Sequence, residues 1–167
     1  MGEMLTPGDI KKIEEEIEYR KLVYRKQALE AVKEARAQGD LSENFEYHAA
    51  KKDKNQNESR IRYLERMLKN ARVVEDHSAA DEVGLDNTVT VYVEEDDEEE
   101  VYKLVTSVRG NSMKGYISTE SPLGQALMGR RVGDTVTVKV SDAYSYDVTV
   151  RAIDKTTDES DDTIRKF

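Results

Sequence analysis

One feature constrains this chain more than any other: two long stretches of helical periodicity, each without an internal proline, meet at a single short break around Gly39. Thr6 is placed to cap the first, with Pro7 at its first position and Asp9 in its first turn, where a carboxylate favours the positive end of the helix. From Ile10 a stripe recurs at Ile13, Ile17, Tyr24, Ala28, Ala31 and Ala35, widened by Leu22, Leu29 and Val32, and runs to about Ala37. After Gly39 a second helix from Ser42 or Asn44 carries Ala50, Ile61, Leu64, Leu68 and Ala71 at compatible steps. Helices of roughly thirty residues joined by a few residues must run antiparallel, because so short a link allows no parallel return. At ~1.5 Å per residue such a hairpin extends on the order of 45 Å. Towards the turn its inner positions thin to Ala35, Ala49 and Ala50, and Lys51 to Gln56 are polar, so that end is a slim probe rather than a core.

Beyond Val74 the period changes from helical to alternating. Val89, Val91 and Val93 alternate with Thr88, Thr90 and Tyr92, and Val136, Val138 and Val140 with Thr135, Thr137 and Lys139. Further strands are expected at Val101–Val108, Tyr116–Ser118 and Tyr146–Ile153, with one short helix framed by Ser121, Pro122 and Gly129. The acidic run Glu94–Glu100 reads as a solvated hairpin loop between two strands. The fold class is therefore α+β. The expected division is a helical hairpin over 1–75, a linker over 76–81, a strand domain over 82–153 and a frayed polar tail over 154–167.

Charge and composition exclude several classes of function. The net charge is −9. Residues 1–75 hold sixteen Lys/Arg against fifteen Asp/Glu, +1 by difference, so the remainder carries −10. Tight binding of free nucleic acid draws on Lys/Arg neutralising phosphate, so any such contact here is expected to be local and assisted. With no cysteine there is no disulfide, thiolate zinc site or cysteine nucleophile, and two histidines, His48 and His77, argue against a histidine-rich metal site. No apolar run is long enough for a membrane span and no secretory signal is visible, so the expected compartment is the cytoplasm.

The turn Gly39-Asp40-Leu41-Ser42-Glu43-Asn44 sets two carboxylates three positions apart where the probe ends. Acids before a helix can simply offset its dipole, worth ~0.3–1 kcal/mol each. Alternatively, Asp40 and Glu43 supply oxygen ligands to Mg²⁺, a hard ion that takes six oxygens and often borrows most of them from water and phosphate. Two carboxylates make no complete cage. The isolated protein is then expected to bind Mg²⁺ weakly, with another macromolecule completing the site.

The stretch Gly39-Asp40-Leu41-Ser42-Glu43-Asn44-Phe45-Glu46-Tyr47-His48-Ala49-Ala50 resembles the tip motif of the Gre transcript-cleavage factors. Ile117-Ser118, Ser121-Pro122-Leu123, Ala126-Leu127, Gly129 and Gly133-Asp134 follow that family's second domain in order. The resemblance implies an N-terminal antiparallel coiled coil and a C-terminal antiparallel β domain with one short helix, similar to the FK506-binding proteins. It implies bacterial RNA polymerase as partner, with no catalytic activity of the protein's own. The coiled coil would enter the secondary channel, where Asp40 and Glu43 help hold a second Mg²⁺ shared with the polymerase, which then hydrolyses its own backtracked transcript. By the same resemblance, Arg36 and Lys51 would contact the 3′ end of the nascent RNA, and Glu120, Ser121 and Pro122 would lie at the polymerase-docking surface. Three departures stand out: Phe45 where the family commonly has alanine, a stretch from Thr106 to Gly115 with Arg109 and Lys114 where the family often has an acidic loop, and a tail that runs past the usual end.

The rival within the family is a paralogue that regulates or inhibits polymerase through the same channel without stimulating cleavage. A prolyl isomerase is a rival from another class. It would need an aromatic-lined apolar pocket, which the lack of tryptophan and the placement of Phe45 and Phe167 outside the strands argue against. A coiled-coil adaptor is a third, but its tip would be apolar or variable.

Overall fold

The computed structural model describes residues 2–38, 44–109, 115–156 and 164–165, and these form two compact units. One unit spans Ile10–Ala71, and the other comprises Glu3–Asp9 with Arg72–Arg165.

The first unit is the helical hairpin. Its leading arm is α1 (Pro7–Tyr19), a π-helical segment Arg20–Tyr24 and α2 (Arg25–Ala37), and its returning arm is α3 (Phe45–Lys69). Antiparallel pairing follows from the cross-contacts, whose partners on α3 fall in number as those on the leading arm rise. Glu16 accepts from Arg60 Nε at 2.8 Å, Arg20 Nη1 donates to Asn57 Oδ1 at 2.9 Å, and Tyr24 Oη donates to Asp53 Oδ1 at 2.5 Å. Asn57 Nδ2 also donates to the Arg20 carbonyl at 3.3 Å, so this amide spans the arms at the π segment. Ile13, Ala28, Ala35, Ile61, Leu64 and Met67 are buried, yet Asn57 and Arg60 are buried among them. Expected seam residues Leu22, Leu29 and Ala31 are exposed instead. The stripe keeps its phase across the π segment, with Ile13, Ala28 and Ala35 buried and Ile17 and Tyr24 half-buried, so the seam is narrower than the sequence stripe and leaves Leu22 and Leu29 at its edges.

The second unit is built on a five-stranded sheet of order β5-β4-β3-β7-β6, from β3 (Thr88–Val93), β4 (Glu98–Val105), β5 (Tyr116–Ser118), β6 (Thr135–Lys139) and β7 (Ser145–Asp154). Alternation in β3 is realised literally: Val89, Val91 and Val93 are buried while Thr88, Thr90 and Tyr92 are half-exposed. With Leu104, Val136, Val138, Val148, Val150 and Leu127 of α4 (Pro122–Leu127) they make one dry core. The sheet is mixed rather than antiparallel, because β5 joins β4 in parallel. Strand β4 begins at Glu98, so the second half of the acidic run is paired strand and the turn is confined to Glu94–Asp97. It ends at Val105, and Ser107–Arg109 form a 3₁₀ turn rather than more strand.

The divisions also differ from those expected. Residues 76–81 belong to the second unit: Asp76 accepts from Ser78 N at 2.9 Å and from Asn87 Nδ2 at 3.0 Å. The N-terminal strand β1 (Met4–Leu5) pairs in parallel with β2 (Arg72–Val73), bringing Glu3–Asp9 into the second unit. Of the tail, Ile164 is buried and the Arg165 amide donates to the Val108 carbonyl at 2.7 Å, while its guanidinium pairs with Glu3. An apolar side chain and a paired cation give this part of the tail a place to pack that its polar composition concealed.

Candidate functional site at the end of the hairpin

Asp40 and Glu43 lie outside the described residues, and the structure is informative about the two ends that hold them. Asn44 caps α3, its Oδ1 accepting from Tyr47 N at 2.9 Å. The same side chain donates through Nδ2 to the Ala35 carbonyl in the last turn of α2, at 2.6 Å. One asparagine therefore satisfies an orphan N–H at the start of one helix and a carbonyl at the end of the other. Asn44 is the positioning residue that sequence reasoning left as a mere helix start; an Asn directly following an acidic turn was its signal.

Beside this clasp, the Arg36 guanidinium sits 5.5 Å from the centre of the Tyr47 ring and donates to its hydroxyl at 3.3 Å. Tyr47 also stacks on His48, ring centres 5.5 Å apart and planes 18° from parallel. Its hydroxyl is pulled below its ordinary pKa, chiefly by the Arg36 hydrogen bond, with the positive charges of Lys51 and Lys54 adding to the effect. Arg36 and Lys51, singled out together in the sequence, thus act on one half-buried tyrosine, and Lys54 joins them. Phe45, the first residue of α3, is 84% exposed.

At the far end of the sequence, Ser121 caps α4, its Oγ accepting from Gly124 N at 3.0 Å and donating to the Ser118 carbonyl at 2.7 Å. Pro122 fills the first helical position and is exposed, as is Glu120, whose carbonyl accepts from Gln125 Nε2 at 3.0 Å. A Cβ on Gly124 would come 2.0 Å from the Ser118 oxygen, so this close approach requires glycine. Among the described residues, no group of three or more His, Asp or Glu side chains converges as a metal site, and no helix is long and apolar enough to cross a membrane.

A helical hairpin with Arg36, Lys51 and Lys54 grouped around Tyr47, and a separate mixed-sheet unit with a capped helix whose Pro122 is exposed, define an α+β protein of two units. Residues 3–73 match the N-terminal domain and residues 77–155 the C-terminal GreA/GreB domain of transcription elongation factors. The chain is 48% identical to transcription elongation factor GreA of Thermoanaerobacter pseudethanolicus over 82% of its own length and 88% of that protein. It is 43% identical to GreA of Streptococcus pneumoniae over 91% and 95%. Among solved structures, GreA factor homolog 1 (Gfh1) of Thermus thermophilus shares 26% identity, covering 92% of this chain and 99% of that one at a TM-score of 0.42. The chain belongs to the GreA/GreB family of transcription elongation factors.

Proposed function

We propose that this elongation factor acts on bacterial RNA polymerase in the cytoplasm, entering the secondary channel with its hairpin and stimulating the polymerase's own hydrolysis of backtracked RNA. The observation that carries the reading is the Asn44 clasp. It ties Ala35 to Tyr47 across the ends of α2 and α3, the two helix ends between which the sequence places Asp40 and Glu43. Their carboxylates are hard oxygen donors, the donor set that suits Mg²⁺. When bound beside the polymerase's own acids, such an ion supplies charge stabilisation and a more acidic water. The role of Asp40 and Glu43 is to present two ligands and leave the rest to polymerase, water and RNA phosphate, so the free protein is neither a nuclease nor a tight Mg²⁺ binder. Arg36 and Lys51, joined by Lys54, would offer positive charge to an extruded RNA 3′ segment. Glu120, Ser121 and Pro122 serve as the docking edge, raising the effective concentration of the tip at the channel.

The test is a stalled, backtracked polymerase complex carrying labelled RNA, with wild-type protein and the Asp40→Ala/Glu43→Ala double variant. Stimulated cleavage by the wild type alone supports the reading. Inhibition of elongation without cleavage would make the protein a regulator of the same channel, and cleavage by the double variant at the wild-type rate would remove the acids from the mechanism.

A further inference from the structure

The second unit contains a cavity that neither the tip chemistry nor the docking edge uses. It has a volume of about 240 Å³, below the ~300–1,000 Å³ of typical small-molecule sites, and is large enough for one long side chain. Val93, Leu123 and Val148 form its apolar floor, and three tyrosines, Tyr102, Tyr144 and Tyr146, its walls. This corrects the expectation that no aromatic-lined pocket exists: the rings are tyrosines from β4, β7 and the turn before β7, and strand alternation alone does not show that they converge.

The chemistry of the lining is one-sided. Tyr102 and Tyr146 are half-buried, and Tyr144 and Tyr146 stack with ring centres 5.8 Å apart. The Tyr102 hydroxyl donates to Glu100 and the Tyr144 hydroxyl to Glu95, so both phenolic protons are committed. Asp96 completes the rim, and no lysine or arginine is among the described residues that line the cavity. What remains on offer is ring faces, carboxylate lone pairs and one phenol hydroxyl, that of Tyr146, so acceptors predominate. All three hydroxyls are raised above their ordinary pKa, Tyr144 to about 12 through its hydrogen bond to Glu95, and the others first through burial and then through the neighbouring carboxylates. With Glu95, Asp96 and Glu100 in its lining, the cavity is acidic on geometry alone.

We infer that this tyrosine-walled, acid-rimmed cavity is a socket for an arginine side chain presented by a protein partner. A guanidinium is planar, stacks on aromatic faces and carries five donors, which matches a lining of tyrosine rings and carboxylates; an ammonium is a strongly hydrated point charge that gains less from stacking. A proline ring brings no donor for the acids at the rim. A metal ion finds no convergent set of three side-chain ligands here among the described residues. The inference is independent of the hairpin's proposed role.

The test uses the full chain with ¹³C-labelled tyrosine, titrated with acetyl-Gly-Arg-Gly-amide and with the citrulline peptide, which has the same shape without charge. The arginine peptide should shift the ring signals of Tyr102, Tyr144 and Tyr146 saturably, with the citrulline peptide binding about tenfold or more weakly, since charge-assisted hydrogen bonds are lost. Tyr144→Ala and Asp96→Asn, both at exposed positions, should each weaken arginine binding several-fold without altering the melting temperature. Equal binding of the citrulline peptide, tighter binding of a proline peptide, or saturable shifts confined to other tyrosines would each overturn the assignment. So would the same ring shifts appearing on concentrating the protein alone, which would assign the socket to a second copy.

Discussion

The two units are held together by different physics. The hairpin buries few large apolar side chains and closes its seam with a polar ladder of Glu16, Arg20, Asn57, Arg60, Tyr24 and Asp53, with Arg25 and Glu58 paired at 2.9 Å beside it. The sheet unit has a core of valines and leucines. Methyl groups pack against many partners and specify depth, whereas hydrogen-bonded pairs specify which residue faces which. The contrast suits the proposed parts: a thin arm needs correct register more than bulk, and a docking body would need a stiff surface.

The largest effect that would sharpen this comparison is Leu104→Ala in the sheet. Leu104 is fully buried, so removing it should destabilise by ~2–5 kcal/mol, read as a lower denaturant midpoint for the strand unit. A loss under ~1 kcal/mol would mean the dry core is not what holds it.

Next comes the tip. Asp40→Ala or Glu43→Ala should lower stimulated cleavage roughly a hundredfold or more, the scale on which loss of transition-state charge stabilisation is felt. Circular dichroism and polymerase binding should stay unchanged, because the helix ends on either side are joined by Asn44 and not by the acids. A parallel loss of helix would show the acids to be structural.

Arg60→Ala tests the ladder. It removes two hydrogen bonds to Glu16, at 2.8 and 3.2 Å, from a buried site, and should cost ~1–3 kcal/mol, seen as faster hydrogen exchange in α1 and α3. Unchanged exchange would reduce the ladder to decoration on an apolar seam.

Glu16 also makes the hairpin sensitive to acid. Burial alone would raise its pKa, but hydrogen bonds from Arg60 and Arg20 outweigh that and bring it below the usual 4.5. A carboxyl whose folded pKa is depressed contributes its full stability above the unfolded value and loses it as pH falls through the folded one. Hairpin stability should therefore be flat down to about pH 4.5 in this respect and decline below it, and Glu16→Gln should flatten that decline. A wild-type slope in the variant would assign the acid sensitivity elsewhere.

The smallest effect is expected at the exposed edge proposed for docking. Glu120→Lys should raise the concentration of protein needed for half-maximal cleavage several-fold while leaving the maximal rate alone, since an exposed charge governs encounter more than the bound state. A fall in maximal rate would place Glu120 closer to the chemistry than the fold suggests.

Local chemistry was enough to determine much of this protein. Thr6 and Asp9 bond reciprocally, Thr6 N to Asp9 Oδ2 and Asp9 N to Thr6 Oγ1, both at 3.0 Å, as expected of a helix start. The ends of α2 and α3, the strands Thr88–Val93 and Thr135–Lys139, and the capped helix after Ser121 were likewise legible, because caps and periodicity act within a few residues. Tertiary structure alone decided what depends on distant partners. It determined the π-helical segment Arg20–Tyr24, the narrow seam that leaves Leu22 exposed, and the pairing of Met4–Leu5 with Arg72–Val73. It also set the parallel entry of β5, the burial of Asn57 and Arg60, and the meeting of Tyr102, Tyr144 and Tyr146 around one cavity. Periodicity records which face of an element seeks burial, but it does not record which other element meets that face; that choice is made by contacts between residues far apart in the chain.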